Sequence, residues 1–184
     1  GVRYTERDGQ ADIPARIAAV AEHLKCLCAD AGLPLPFFLM EPGRSIVADA
    51  GLTMYTVGSV KRIKGYKNYV SVDGGMADNP RFALYRSRYT CYAANRMDES
   101  ADLEVSLVGR CCESGDILQE HVLLPATVGR YDTIAVCTTG AYNYAMASNY
   151  NKLGRPPVVM LRGGAESYVA VRRETAEDMA ARDL

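Results

Sequence analysis

Four short stretches carry residues that could do chemistry. Glu41-Pro42-Gly43-Arg44 sets a carboxylate and a guanidinium side by side on a tight proline–glycine backbone. The guanidinium suits a phosphate or a carboxylate, and the acid could hold a proton on a ring nitrogen. An ordinary ion pair in a strand-end turn would read the same way. Cys112-Glu113-Ser114-Gly115-Asp116 places a thiol beside two acids on a glycine-containing turn. Neighbouring negative charge favours the protonated thiol, so this cysteine suits proton donation better than nucleophilic attack. A surface turn with a chance cysteine is the plain alternative. Arg81 and Tyr85 are four residues apart and share a face if that stretch is helical, as in any amphipathic turn. Tyr142 follows Gly140-Ala141 and could present its hydroxyl to an anion, or be a core tyrosine with a bonded tip.

The elements that must position these residues fall into two regions. Ile13 to Ala31 reads as a helix, with Asp12 as N-cap, Pro14 in the first turn and Gly32 as the stop. Ile13, Ile17, Val20, Leu24 and Leu27 recur at three- and four-residue steps, which predicts one apolar face. Phe37 to Met40 reads as a short buried strand that delivers Glu41 and Arg44 at its C-terminal end. That is the grammar of an α/β barrel unit, whose active sites lie at that face. Ser45 to Gly51 reads as a short helix.

From Leu52 onward the runs LTMYTVGSVKRI, YVSVD, SRYTCYA, LEVSLVGR, DTIAVCTT and VVMLRGG are β-rich and separated by turn signals. Leu103, Val105 and Leu107 alternate with polar neighbours, as do Ile134 and Val136. The tail RRETAEDMAARDL reads as a helix with a cap between Thr175 and Asp178. The expected architecture is mainly β with α. Residues 1–51 would be the last α/β unit of a (β/α)8 barrel. Residues 52–184 would be an antiparallel, Greek-key-like β barrel or sandwich with a C-terminal helix.

The chain has 184 residues, 48% hydrophobic and 23% charged, which is enough to bury a core. A formal net charge of -1 gives no footprint for nucleic acid or an anionic membrane surface. No apolar run approaches the ~20 residues of a bilayer span. The six cysteines are spaced as CLC and CC among others, which fits no zinc pattern, and free thiols in a reducing cytoplasm are expected. Gly1 stands where a start methionine would be, which points to a longer parent chain.

In order, EPGRSIVADAG, SVDGGMADNPRFALY, CESGD and TTGAYNYAMASNYN resemble the C-terminal half of the diaminopimelate decarboxylases. These are pyridoxal 5'-phosphate enzymes of the alanine-racemase-like class, with an α/β barrel followed by a β domain. The resemblance runs from Gly1 to Tyr168. EPGR is common to ornithine and arginine decarboxylases. CESGD with DNPRxxLY is more specific, because the ornithine enzymes have an aspartate where Glu113 stands. Phe82 occupies a position where proline is common in the family.

The resemblance implies a function and a set of roles. Glu41, Gly43, Arg44 and Tyr142 would contact the cofactor. Arg44, Arg81, Tyr85, Glu113 and Tyr142 would bind substrate, and Cys112 would be the catalytic proton donor. The implied substrate carries an ammonium and a carboxylate at each end, and Arg81 with Glu113 offers one receptor for each charge of the far end. The implied assembly is a homodimer in which the CESGD loop enters the partner's site. The lysine that bonds the cofactor belongs to the family's N-terminal half, so this segment alone is expected to be inactive. Competing readings are a related decarboxylase acting on arginine or carboxynorspermidine, and a non-catalytic β-domain interaction protein.

Overall fold

In the computed structural model, residues 2–9 and 11–184 are described. Helix α1 spans Ile13–Asp30. The Asp12 side chain accepts from the Ala15 amide, and Gly32 takes the left-handed φ of 63° that ends the helix. Start and stop therefore follow the capping signals. The apolar face is a different matter: Ile17, Val20 and Leu27 are exposed.

The expected strand at Phe37–Met40 does not form. Residues 33–43 have no regular structure, and the Phe37 side chain is 93% exposed. A strand needs neighbours for its backbone groups, and among the described residues nothing pairs with this run. The expected α/β unit is therefore not formed among the described residues of 1–51, which hold only α1 and the short α2 at Arg44–Val47.

The rest is mainly β. Strands β1 (Leu52–Arg62), β2 (Asn68–Val72), β3 (Cys91–Ala93), β4 (Ala101–Val108), β5 (Ile117–Pro125) and β6 (Thr133–Cys137) form one sheet in the order β3-β6-β1-β2-β4-β5. Four of its pairings are antiparallel, with registers such as Met54↔Ala135 and Val105↔Val122. The β2–β4 pairing is parallel, Val70 facing Leu107, which corrects the all-antiparallel expectation. A parallel return needs a long crossover, and the segment holding α3 (Arg81–Tyr85) and β3 supplies it. Strand β5 carries no run singled out in the sequence. It contains a register shift and His121 at φ 57°, and Gln119-Glu120-His121 hide its alternation.

One side of the sheet is the core. Val57, Val70, Val72, Tyr89, Val105, Leu107, Leu118, Leu124, Ile134 and Val136 pack together there. Each fully buried aliphatic side chain contributes roughly 1.5–3 kcal/mol over leaving it in water. The outer strands come round to meet. Gln119 on β5 accepts from the Tyr89 amide at 2.6 Å and donates to the Tyr89 carbonyl at 2.7 Å. A side-chain amide thus closes the seam just ahead of β3.

A separate hairpin pairs β7 (Val158–Arg162) with β8 (Glu166–Val171) through Gly163 and Gly164, both at positive φ. The tail helix α5 covers only Ala176–Ala180, shorter than expected, but its capping box between Thr175 and Asp178 is complete.

Candidate functional site

Arg44 opens α2, and α2 is pressed against the end of β6. The Gly140 amide donates to the Ala48 carbonyl at 3.0 Å, and the Thr139 amide donates to the Gly51 carbonyl at 2.9 Å. A Cβ on Gly51 would lie 2.4 Å from the Gly140 Cα, so this approach requires glycine on both sides. It places Arg44 next to Tyr142, with the guanidinium 5.4 Å from the ring centre. Tyr142 precedes helix α4 (Asn143–Met146) with φ 73°, a left-handed backbone that a tyrosine adopts only under constraint.

Arg81 reaches the same ring from the other element. It opens α3 and is buried, with only 8% of its surface exposed. Its guanidinium lies 4.8 Å from the Tyr85 ring, as the four-residue spacing predicts, and 4.9 Å from the Tyr142 ring. Among the described residues no carboxylate pairs with it, and its one hydrogen bond is a long one, 3.4 Å to Ser87 Oγ. Nearby polar atoms are also buried without partners: Tyr4 Oη, Arg81 Nε and Asn143 Nδ2. Tyr4 stacks edge-on against Tyr89 at 5.3 Å, and the Tyr89 hydroxyl donates to Asn143 Oδ1 at 3.4 Å. The result is a cationic, hydrogen-bond-hungry cluster that a bound anion would satisfy.

Cys112 and Glu113 form a second group, at the tip of the β4–β5 connection. Both are exposed. Asn151 Oδ1 accepts the Cys112 amide at 2.7 Å. Glu113 accepts from the Gly115 amide at 3.0 Å, from Ser114 Oγ at 3.2 Å and from Tyr150 Oη at 3.2 Å. These donors, the Gly115 amide foremost, hold its carboxyl below the usual glutamate range. The second acid of the motif does not face Cys112. Asp116 turns inward and, after burial itself, pushes the Cys111 thiol up.

The predicted residues therefore separate into two sets. Arg44, Arg81, Tyr85 and Tyr142 come together. Cys112 and Glu113 have no hydrogen bond, ion pair or ring contact with them among the described residues. Glu41 is exposed just ahead of Gly43, and Gly43 N-caps α2 within reach of Tyr142, its Cβ position being 3.6 Å from the hydroxyl. Sequence reasoning gave no role to Tyr4, Asn143, Tyr150 or Asn151. The last three sit inside the quoted TTGAYNYAMASNYN motif, and that motif was the available signal.

Comparison with known proteins gives a consistent picture. Residues 18–140 match the family described as pyridoxal-dependent decarboxylase, C-terminal sheet domain. The chain is 47% identical over its full length to a diaminopimelate decarboxylase of Bacillus subtilis and covers 42% of that protein. It is likewise 47% identical to one of Actinosynnema pretiosum, covering 41% of it. A crystal structure of diaminopimelate decarboxylase from M. jannaschii superposes over 100% of this chain and 41% of its own, with a TM-score of 0.87 and 28% identity. A lysine/ornithine decarboxylase of Vibrio vulnificus superposes over 82% of the chain, with a TM-score of 0.67 and 26% identity. The chain thus spans about two fifths of the length of the curated relatives it matches. Its six-stranded sheet and its matched residues carry one conclusion: the chain belongs to the pyridoxal-dependent decarboxylases, as their C-terminal sheet domain.

Proposed function

We propose that this chain is the C-terminal part of a diaminopimelate decarboxylase, which converts meso-2,6-diaminopimelate to L-lysine with pyridoxal 5'-phosphate. Residues 1–51 would complete the cofactor-binding barrel, and residues 52–184 would form the sheet domain. The observation that carries the reading is Arg81. It is a buried guanidinium with no carboxylate paired to it among the described residues, held between two tyrosine rings. Such a charge is costly unless an anion arrives to pair with it, and a substrate carboxylate is one.

The residues present also fit the cofactor. Arg44 and the unpaired Tyr4 hydroxyl and Asn143 amide lie around Tyr142, where an anionic phosphate would find donors. Glu41, Gly43, Arg44 and Tyr142 would hold the group. When bound, pyridoxal phosphate supplies an electron sink for the carbon that loses carbon dioxide. Arg81 and Tyr85 would grip the far carboxylate of the substrate. Glu113, kept ionised by its donors, would hold the far ammonium. Cys112 Sγ would hold the proton destined for the carbon that is left.

Within one chain the Cys112 and Glu113 side chains make no hydrogen bond, ion pair or ring contact with the Arg81 cluster among the described residues. This supports a homodimer in which each subunit lends that tip to the other's site. The test of function is an assay of the full-length protein containing this segment. It should release carbon dioxide and lysine from diaminopimelate and leave arginine and ornithine unchanged. Turnover of arginine or ornithine in preference to diaminopimelate would overturn the substrate assignment.

A further inference from the structure

The loop that delivers Arg81 and the loop that carries Cys112 and Glu113 are tied together by one buried carboxylate. Asp116 is only 4% exposed and has no cationic partner among the described residues. Its two oxygens are used by two different segments. Oδ1 accepts the Met76 amide at 2.6 Å, in the turn leading to α3 and Arg81. Oδ2 accepts the Cys111 amide at 2.6 Å, immediately before Cys112. Backbone bonds run alongside, Arg110 amide to Gly74 carbonyl at 3.1 Å and Gly109 amide to Asp116 carbonyl at 2.9 Å.

The surroundings are shaped for this carboxylate. A Cβ on Gly75 would lie 2.7 Å from both Asp116 oxygens. A Cβ on Gly109 would lie 2.2 Å from Oδ2. Two glycines thus leave the space that the acid fills. A second acid braces the same turn from the other side: Asp78 accepts the Gly75 amide at 2.8 Å and the Tyr55 hydroxyl at 2.5 Å. Charge-assisted bonds to backbone amides are short, strong and directional. A carboxylate that spends both oxygens this way holds two loops at a fixed offset.

We propose that Asp116 is a positioning residue for the decarboxylase reaction, a latch that sets the Arg81 turn and the Cys112–Glu113 tip in one rigid frame. This rests on the functional reading above. Asp116 is buried, and both of its oxygens are taken up by backbone amides. It acts through the peptide groups of Met76 and Cys111. If the tip serves the partner's site, each latch fixes Arg81 in one site and the thiol and acid in the other.

The test uses the full-length enzyme and two variants that disturb the latch from opposite sides. Asp116→Asn keeps the shape but replaces one acceptor oxygen by a donor that confronts an amide. Gly75→Ala drives a methyl group into the carboxylate. Each should lower kcat/KM for diaminopimelate by about 10- to 100-fold, the scale on which small misplacements act, with kcat and KM both affected. The double variant should be little worse than the more damaged single one, because both remove the same contact. Hydrogen exchange gives a readout independent of activity. The Met76 and Cys111 amides should exchange at least about tenfold faster in Asp116→Asn, while Leu107 and Leu124 in the core stay protected. Folded variants with wild-type kcat and KM would overturn the proposal. So would activity losses that merely track the fraction unfolded, or unchanged exchange at Met76 and Cys111. If the wild-type enzyme does not act on diaminopimelate, the functional reading falls, and the exchange measurement still decides whether Asp116 holds the two loops.

Discussion

Tyr150 donates its hydroxyl to the Glu113 carboxylate at 3.2 Å, although 37 residues separate them in the chain. With the Gly115 amide and the Ser114 hydroxyl, this bond holds the Glu113 carboxyl low. The sign follows directly. In its proposed role Glu113 would bind an ammonium only when ionised, so binding would be present above its pKa and lost as pH falls through it. Tyr150→Phe removes one lowering contact and raises that pKa. The acidic limb of kcat/KM should move to higher pH in the full-length enzyme, with little change on the neutral plateau. An unmoved limb would show that this bond does not tune Glu113.

Asn151 offers a cleaner dissection. It bonds the Cys112 amide and sits at φ 55°, ψ 24°. Asn151→Gly loses the bond but accepts the backbone, while Asn151→Ala loses both. The two variants should show similar losses in kcat, and the alanine variant should be the less stable by about 1 kcal/mol. Thermal melting and steady-state kinetics check the two halves separately.

Tyr142 is a platform between two guanidinium groups, so its ring should matter more than its hydroxyl for their placement. Tyr142→Phe should leave the KM for substrate within about threefold of wild type, since each cation–ring contact survives. Tyr142→Ala should raise it about tenfold or more. Equal effects would mean that the hydroxyl dominates.

Gln119 closes the seam between the outer strands of the sheet through both of its amide atoms. Gln119→Leu strands the buried amide and carbonyl of Tyr89, at a cost of about 1–3 kcal/mol for each group left unpaired. Denaturant unfolding of the sheet domain should show that loss in the midpoint, with an unchanged slope.

The shared-site arrangement is checked by mixing two inactive full-length variants. One lacks the cofactor lysine, and the other carries Cys112→Ala. Hybrid dimers would contain one intact composite site, and partial activity should return. Confirmed subunit exchange with activity at background would place Cys112 within its own subunit's site or outside the chemistry.

Local signals proved legible and non-local ones did not. Asp12, Gly32 and the Thr175–Asp178 box marked helix ends because capping depends on neighbours within four residues. The alternation of Ile134 with Val136 marked a strand with one buried face, and that of Val105 with Leu107 marked a strand whose intervening Ser106 is buried as well. Phe37–Met40 misled, since an apolar run states a need for cover without saying whether cover is there. Strand β5 was invisible because Gln119, Glu120 and His121 interrupt its pattern for reasons of seam and bulge. In the site, Arg81 and Tyr85 could be paired from spacing, whereas the meeting of Arg44 with Arg81 over Tyr142 depends on a glycine–glycine approach 89 positions apart that no window contains. Tyr150 and Asn151 reach Glu113 and Cys112 across 37 and 39 positions.

The glutamine seam makes the six-stranded sheet unusually answerable to a single codon. Strands joined by peptide ladders can drift in sequence with little penalty, because every residue except proline brings the same backbone groups. At position 119 the joining groups belong to a side chain, and few alternatives reproduce them. Asparagine is one methylene too short to span the gap, and glutamate lacks the donor that Tyr89 needs. Mutational tolerance in this sheet should therefore be uneven, broad along its ladders and narrow at one residue where closure is written in a side chain.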